Sequence, residues 1–432
     1  MAIFEIMIVG LLALWAVRVF VERRLIITIP AIFWPLAGLL MLGLVQSVGL
    51  TNSAGAVQSL SMDLESSRIV ALLLFCLVAA CLMAANFLVG RERLNLLMNG
   101  LVIFGFALAI FGLIQHFSWN GKLYWLRSIS VAATTPFGPF VNHNHFAGYM
   151  EMLLPLPVAL IVTGVVRAEA RLFYAFAAIM MGVATIVSLS RGGIISLLAA
   201  LLFILVMSFR LRKRESRNPT LSSLAGIGAV AVIMIAIIAG VFWIGADSVV
   251  DRVTKGQLAG DEQQTETFYS SRGWIWQDTL KMISARPLLG VGLGAYQTAY
   301  PVYSEHDKGM IVDKAHNDYL HLLAEGGLVG GLLALCFVFL IFRAVFRGLN
   351  SRDPLRAAVA LGGGAAVCAM LVHSLFDFNL QLPSNSLLFL LLSATAAQVG
   401  QGAAVARASS QAIDPALDIQ PRTADLATGV SS

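Results

Sequence analysis

The chain has 432 residues, of which 58% are hydrophobic and only 12% are charged. Soluble globular domains carry roughly 25% charged residues, so this composition excludes an ordinary soluble protein. The formal net charge of +5 does not indicate nucleic-acid binding, because most Lys and Arg residues lie in short clusters between apolar runs.

Mostly apolar runs recur along almost the whole chain, each about as long as the ~20 residues that cross hydrocarbon. The first run lacks a basic leader and a small-residue cleavage site, so we interpret it as a retained span. The sequence predicts an all-α, polytopic bundle with about 11–12 spans. The predicted spans are 3–20, 25–48, 67–90, 94–115, 146–166, 172–189, 192–209, 222–245, 326–345, 356–376 and 384–402. A shallow interfacial helix over 49–66 is an alternative to a loop there.

Basic residues define the orientation of the spans. Five clusters fall on the same side when the predicted helices are counted between them, and the positive-inside rule assigns that side to the cytoplasm. The clusters contain Arg18, Arg23 and Arg24; Arg91 and Arg93; Arg167 and Arg171; Arg210, Arg212, Lys213, Arg214 and Arg217; and Arg343, Arg347, Arg352 and Arg356.

Two longer polar segments then fall outside the cytoplasm, at 116–145 and at about 246–325. The second is too short for a large core of its own, so we expect short helices packed over the membrane mouth. Residues 1–402 are thus predicted to form one membrane domain, and 403–432 a disordered cytoplasmic tail.

Arg191 stands in the sequence SRGG at 190–193, between two apolar runs at the outer surface. The hairpin needs a turn there, and Gly192 and Gly193 are predicted to supply it. The turn does not explain the arginine, which beside hydrocarbon needs a partner or an anion. Pairing with phospholipid headgroups is the alternative to a substrate anion.

Arg272 opens a second group, which leads through Trp274 and Trp276 into the sequence PLLGVGLG at 287–294. The three glycines predict a tight loop whose exposed backbone N–H groups would be able to cradle an anion. The segment lacks the Lys and Ser/Thr of a nucleotide-binding P-loop, so the pattern does not indicate ATP.

The sequence HNDYLHLLAEGGLVG at 316–330 is the sharpest feature. It places four ionisable residues, His316, Asp318, His321 and Glu325, just before a fully apolar run. Such a density of ionisable groups at a span entry favours a functional site over a single structural histidine.

Two further segments also map to the outer face. His143 and His145 lie in one, and His373 and Asp377 in the other. Two histidines at i and i+2 without a nearby carboxylate are weak support for a metal, so we predict none. The four cysteines lie inside apolar runs without ligand spacing, as expected for small buried residues.

With these residues the chain resembles the O-antigen ligase / O-antigen polymerase family of bacterial membrane glycosyltransferases. The resemblance rests on SRGG at 190–193, on the RxxxW…PLLGVGLG pattern over 272–294 and, above all, on 316–330. It is strongest over about 135–380. Family members usually have about twelve spans and cytoplasmic termini, whereas the eleven spans predicted here place the N-terminus outside.

The resemblance implies transfer of a glycan from undecaprenyl pyrophosphate to a hydroxyl acceptor, at the periplasmic face of the inner membrane, without nucleotide sugar, metal or other cofactor. The implied partners are the lipid-linked donor, a lipid A–core or glycan acceptor, and membrane lipids. By resemblance, Arg191 and Arg272 bind the donor pyrophosphate and His316 is the candidate catalytic base. Candidate supporting residues are Asn317, Asp318, His143, His145, Glu325, His373 and Asp377.

The residue chemistry is compatible with these roles. Planar guanidinium groups bind phosphate oxygens bidentately, where the negative charge of a leaving pyrophosphate develops. A sugar hydroxyl is a poor nucleophile until its proton is removed, and histidine suits that task at neutral pH. An inverting, single-displacement transfer is therefore predicted, with the polyprenyl tail in a groove between helices.

Several alternatives stay open at this point. A ligase, a polymerase of surface or exopolysaccharide, and a protein glycosyltransferase would share the donor-binding residues, and the sequence slightly favours the ligase. A flippase or secondary transporter would place ionisable residues near the midplane and show internal repeats, neither of which is evident. A structural assembly subunit would tolerate loss of Arg191, Arg272 and His316.

Overall fold

The computed structural model describes residues 2–23, 27–51, 57–128, 136–214, 228, 261–305 and 311–413. These residues are largely helical, so the prediction of an all-α fold is confirmed. The helices are α1 Ala2–Glu22, α2 Phe33–Gln46, α3 Leu64–Phe87, α4 Arg91–Phe117, α5 His143–Leu153, α6 Pro155–Val162, α7 Arg171–Val187, α8 Arg191–Arg214, α9 Asp261–Ala285, α10 Tyr296–Tyr303, α11 Asp318–Gly348, α12 Pro354–His373 and α13 Pro383–Ile413.

Within the described residues, eight helical segments are long and apolar enough to cross a membrane. They comprise α1, α3, α4, α5 with α6, α7 with the short 3-10 turn before it, α8, α11 and α12. The chain is therefore a polytopic membrane protein, as predicted. The predicted span 222–245 lies outside the described residues, apart from residue 228.

The structure differs from the prediction around α2. The predicted span 25–48 contains a helix of only 14 residues, Phe33–Gln46, and residues 27–30 before it are not helical. At a rise of about 1.5 Å per residue this helix is shorter than the ~30 Å hydrocarbon layer. The alternative of an interfacial helix over 49–66 is wrong, because β1 (Gly49–Thr51) pairs antiparallel with β2 (Val57–Ser59).

Contacts between helix ends place the basic clusters around Arg91 and Arg352 at one end of the bundle. Arg91 at the start of α4 bonds Asp353, before α12, at 2.9 Å. Asn86 at the end of α3 accepts a hydrogen bond from the Thr28 backbone. We call this the basic end. The N-termini of α5, α8, α11 and α13 and the C-terminus of α12 lie at the opposite end.

The segments α5–α6 and α12 are the most buried of the eight. Small residues let neighbouring helices approach them, as is usual in membranes. A Cβ on Gly363 would lie 3.1 Å from Ala396 of α13, and one on Gly348 of α11 would lie 2.7 Å from Ala360. Helix α12 is thus held between α11 and α13, which fixes its C-terminus at the opposite end.

Helices also occupy the described part of the predicted extracytoplasmic segment, where α9 and α10 are found. Helix α13 continues to Ile413, past the predicted start of the tail at 403, and residues 414–432 lie outside the described part of the chain.

Helix α11 is kinked at Gly327, whose φ is +59°. A Cβ there would overlap the carbonyl group of Leu288. The kink frees two helix N–H groups, and they donate to the carbonyls of Pro287 and Leu288, at 2.8 and 3.2 Å. The second glycine of the sequence AEGG therefore joins the loop before α10 to the start of a membrane helix.

Candidate active site

Residues 373–381, which connect α12 to α13, contact most of the elements that carry predicted site residues. We call this segment the connecting turn. The Asp318 carboxylate accepts hydrogen bonds from the Ser374 hydroxyl, the Leu380 N–H and the Gln381 amide, at 3.0, 3.2 and 3.3 Å. Asp318 thereby fixes the connecting turn at the N-terminus of α11.

Helix α9 brings Arg272 to the connecting turn. Its Nη1 donates to the carbonyl oxygen of Phe376 at 3.2 Å. One helical turn later, Trp276 donates its indole N–H to the carbonyl of Ala315, at 2.9 Å, beside His316. Residues four apart lie on the same face of a helix. The RxxxW spacing therefore lets Arg272 contact the connecting turn while Trp276 contacts the residue before His316.

His316 has a left-handed backbone conformation, with φ of +50°. Such a conformation is uncommon for a residue with a side chain and is found at functional sites. Asn317 holds it in place, because its side-chain oxygen caps α11 by accepting from the backbone N–H groups of Tyr319 and Leu320. The Asn317 amide also donates to the carbonyl of Leu375 in the connecting turn, at 3.2 Å.

His316 faces a carboxylate. Its Nδ1 lies 3.5 Å from Oδ1 of Asp377, which is within ion-pair distance but does not have the geometry of a hydrogen bond. Burial raises the pKa of Asp377, but the interaction with His316 and the charges of His145 and His373 outweigh it and lower the pKa to about 2. Asp377 is therefore ionised at neutral pH.

The two upstream histidines start α5, where Asn142 is the N-cap. The rings of His145 and His316 both pack edge-on against Phe378, with centroid distances of 5.0 and 5.1 Å. His143 instead contacts the backbone of Ser188, before α8. Both histidines therefore lie beside the candidate site.

The SRGG sequence forms the start of α8, and its glycines have a different role from the one predicted. The left-handed residue of the turn is Leu189, with φ of +59°, so the prediction that Gly192 and Gly193 form the turn is wrong. Both glycines are needed for close approach. A Cβ on Gly193 would lie 2.5 Å from Cβ of Ala147, and one on Gly192 would lie 3.4 Å from Cβ of Phe376.

Arg191 is the first residue of α8 and is exposed. Its neighbour Gly192 adjoins Phe376, the residue whose carbonyl Arg272 binds. The start of α8, where Arg191 lies, and Arg272 of α9 therefore adjoin the same residue of the connecting turn.

One buried carboxylate was missed by the sequence interpretation. Glu151 of α5 is fully buried, and its Oε2 lies 2.8 Å from Nδ1 of His373. The available signal was an ionisable residue inside an otherwise apolar span, which is costly and therefore usually functional. Asn379 and Asn385 were also missed; Asn385 donates to the carbonyl of His145 and to Asn379, at 3.1 and 2.8 Å.

Glu325 lies in a separate cluster. Its Oε1 accepts from the backbone N–H of Tyr296 at 3.1 Å and lies 3.2 Å from Nε2 of His321. The His321 ring stacks on Tyr296, with centroids 4.5 Å apart. This pair holds α10 against α11, and Nδ1 of His321 accepts from the N–H of Ala315, next to His316, at 3.4 Å.

The interpretation of the glycine loop at 290–294 as an anion cradle is wrong. Its N–H groups are used within the protein: those of Val291 and Gly292 donate to the carbonyls of Ala324 and Glu325. The N–H of Leu293 donates to the side chain of Gln46, at 2.9 Å. The glycines are required because their φ values are positive and neighbouring chain segments leave no room for side chains.

Among the described residues, no group of three or more His, Cys, Asp or Glu side chains has an arrangement that would hold a metal ion. The candidate site instead combines arginines, histidines and buried carboxylates.

The fold and the site define a polytopic helical membrane protein with a polar, cation-containing cluster at one end of its helices. A sequence model for a protein family described as O-antigen ligase matches residues 175–335. This match confirms the resemblance to the O-antigen ligase / polymerase family and covers Arg191, Arg272 and His316. The match indicates a ligase- or polymerase-type glycosyltransferase that acts on lipid-linked glycan. No curated protein matches the chain.

Proposed function

We propose that this protein transfers a glycan from undecaprenyl pyrophosphate to a hydroxyl acceptor at the periplasmic face of the inner membrane, as an O-antigen ligase. The observation that carries the proposal is the convergence of Arg272 and His316 on the connecting turn. It brings a phosphate-binding cation and a candidate base to the same short segment, from two elements distant in sequence.

Arg191 and Arg272 are proposed to hold the donor pyrophosphate. Guanidinium forks bind phosphate oxygens with charge-assisted hydrogen bonds and retain their charge at any physiological pH. Their attraction strengthens as the bond between the sugar and the pyrophosphate breaks and negative charge develops on the leaving oxygen. Both arginines therefore stabilise the transition state more than the bound donor.

His316 is proposed to remove the proton of the acceptor hydroxyl. With Nδ1–H directed at the ionised Asp377, the other ring nitrogen, Nε2, carries the lone pair and is the base. The acceptor oxygen then attacks the anomeric carbon while the carbon–oxygen bond to pyrophosphate breaks. This single displacement inverts the anomeric centre, and the proton ends on Nε2 of His316. Such a base contributes about 10²–10⁴-fold to the rate.

The periplasmic assignment of the site is supported by the separation of charges along the bundle. The clusters around Arg91 and Arg352 lie at the basic end, where Arg91 bonds Asp353. The positive-inside rule assigns that end to the cytoplasm, so the connecting turn at the other end faces the periplasm. The lipid-linked donor would then approach the site from the outer leaflet.

A polymerase would use the same donor site with a lipid-linked glycan as its acceptor. The two functions are distinguished in cells that lack this protein. The measurement is a gel profile of the surface polysaccharide beside that of the lipid-linked glycan. Loss of a ligase leaves long chains on the polyprenyl carrier and none on lipid A–core. Loss of a polymerase leaves single repeat units. A mutant unchanged in both pools would contradict glycan transfer in this pathway.

Complementation with variants tests the named roles. We expect His316→Ala and Arg272→Ala to abolish transfer while the protein stays in the membrane at the normal level. Matched controls are His116→Ala and Arg127→Ala, which remove the same residue types near the same end of the bundle, outside the site contacts. His116 packs on Phe137, and Arg127 lies in β4 (Arg127–Ser128). Near-normal activity of His316→Ala and Arg272→Ala at equal expression would contradict the mechanism.

A further inference from the structure

The buried pair of Glu151 and His373 has no role in the mechanism above. His373 is 1% exposed and Glu151 is fully buried, and they share one hydrogen bond of 2.8 Å through Nδ1. The other ring nitrogen, Nε2 of His373, has no hydrogen-bond partner within the described residues. A buried ring nitrogen without a partner costs free energy unless a ligand satisfies it.

Nε2 of His373 is directed at the first turn of α8. A Cβ built on Gly192 would meet Nε2 as its nearest atom, at 3.2 Å. Helix α8 has 24 residues, and the N-terminus of such a helix carries a partial positive charge that favours anions. A Cβ at position 192 would therefore crowd the imidazole.

We propose that the first turn of α8 and Nε2 of His373 form a phosphate-binding subsite for the pyrophosphate of the lipid-linked donor, with Glu151 as the residue that positions His373. The proposal rests on the proposed function, because it deepens the description of the donor site. In the imidazolium form both ring nitrogens donate, Nδ1–H to Glu151 and Nε2–H to a phosphate oxygen. The carboxylate balances the imidazolium charge inside the bundle.

The other charged groups near His373 are compatible with an anion. The carboxylate of Asp318 already accepts hydrogen bonds from three donors of the connecting turn. Asp377 faces His316. Arg272 binds Phe376, next to Gly192, so a guanidinium lies on the same side of the connecting turn.

Two substitutions of His373 separate its two hydrogen bonds. In His373→Asn the amide nitrogen replaces Nδ1, so the bond to Glu151 is kept and the group facing Gly192 is lost. In His373→Gln the amide nitrogen reaches the position of Nε2. Gly192→Ala keeps both side chains of the pair and places a methyl group against Nε2. The matched control is Ser393→Ala, which removes a fully buried polar group from the neighbouring helix α13.

The measurement is binding of farnesyl pyrophosphate to the full-length protein in phosphatidylcholine nanodiscs. We expect His373→Asn and Gly192→Ala to raise the Kd by roughly 10-fold to 100-fold, as expected for one hydrogen bond to a charged group. His373→Gln should bind more tightly than His373→Asn, because its amide nitrogen reaches the position of Nε2, although it loses the bond to Glu151. Ser393→Ala should leave the Kd unchanged. Thermal unfolding of each variant shows whether the fold is intact. Native affinity in a folded His373→Asn protein would overturn the proposal.

Glu151 is a positioning residue and is tested by a double variant. Glu151→Gln alone should weaken farnesyl pyrophosphate binding. Combined with His373→Asn it should add no further loss, because Glu151 acts through His373. Additive losses would overturn the positioning role.

Two further comparisons test this proposal independently of the proposed function, and test whether a lipid headgroup occupies the subsite in place of the donor. If Arg272→Ala loses binding while folded His373→Asn keeps it, the subsite is overturned and the proposed function survives. If the native protein does not bind farnesyl pyrophosphate, both are overturned. Nanodiscs that contain phosphatidylglycerol should leave the Kd unchanged; competition by this lipid would overturn the donor as the occupant.

Discussion

Nδ1 of His316 and Oδ1 of Asp377 lie 3.5 Å apart, although the two residues precede different helices. His316 is held in a left-handed conformation before α11, and Asp377 lies in the connecting turn before α13. Asp318 and Asn317 join these two segments by hydrogen bonds, so the relative position of the imidazole and the carboxylate is fixed by the fold.

Asp377→Asn is expected to reduce transfer by roughly 10-fold to 100-fold, less than the loss of His316, because the base remains but its tautomer is no longer fixed. The measurement is the rate of transfer to acceptor by purified protein in nanodiscs at saturating donor. An unchanged KM for the donor is expected, since Asp377 is not assigned to pyrophosphate. A native rate in Asp377→Asn would contradict the orienting role.

The same residue predicts a dependence of stability on pH. The pKa of Asp377 is about 2 in the folded protein, below the ordinary value of about 3.9. Ionised Asp377 therefore stabilises the fold above pH 4, and this contribution is lost as the pH falls from about 4 through 2. The difference in Tm between the native protein and Asp377→Asn should shrink over this range. A constant difference would show that the charge is not the cause.

Gly327→Ala is expected to destabilise the protein by more than about 2 kcal/mol, because a left-handed φ and an overlap with the Leu288 carbonyl both oppose a side chain. Gly330→Ala, three residues later in α11, is the control. Its Cβ would meet Leu322 at 3.5 Å, an ordinary contact, so its Tm should stay near that of the native protein. Equal Tm values for both variants would contradict the kink as the cause.

Gln46→Leu is expected to release the glycine loop from α2. The Gln46 amide donates to the carbonyls of Leu289 and Glu325, at 2.7 and 3.1 Å, and its oxygen accepts from Leu293. Buried groups left without partners cost about 1–3 kcal/mol each. Hydrogen exchange at residues 289–294 should become faster than in the native protein and in the Ser47→Ala control. Unchanged exchange would show that the loop does not depend on α2.

The periplasmic position of the site is testable by cysteine labelling. In a chain whose four cysteines are replaced by Ala, Leu126→Cys and Arg352→Cys report on the two ends of the bundle. Leu126 lies beyond the C-terminus of α4, and Arg352 lies between α11 and α12. A maleimide that cannot cross the inner membrane should label Leu126→Cys in whole cells and Arg352→Cys only after lysis. The reverse pattern would contradict the assigned orientation.

Sequence alone determined the class of fold and predicted the region of the candidate site. Apolar runs of bilayer length predict helices because backbone polar groups in hydrocarbon must be satisfied internally, and this rule needs no tertiary information. It fails for short or irregular segments: α2 is too short to span, and 49–66 contains a hairpin. Both adjoin the loop before α10, which Gln46 and Met62 contact from positions far away in sequence.

For the candidate site, the sequence identified some of the residues, and only the tertiary structure identified their partners. Ionisable and aromatic residues at span ends identified Arg272 and His316 as candidates, since such residues are costly near hydrocarbon. Their partners depend on which helix ends meet. Only the tertiary structure placed Asp377 beside His316 and Glu151 beside His373, because these pairs join segments far apart in sequence through the packing of α12 between its neighbours.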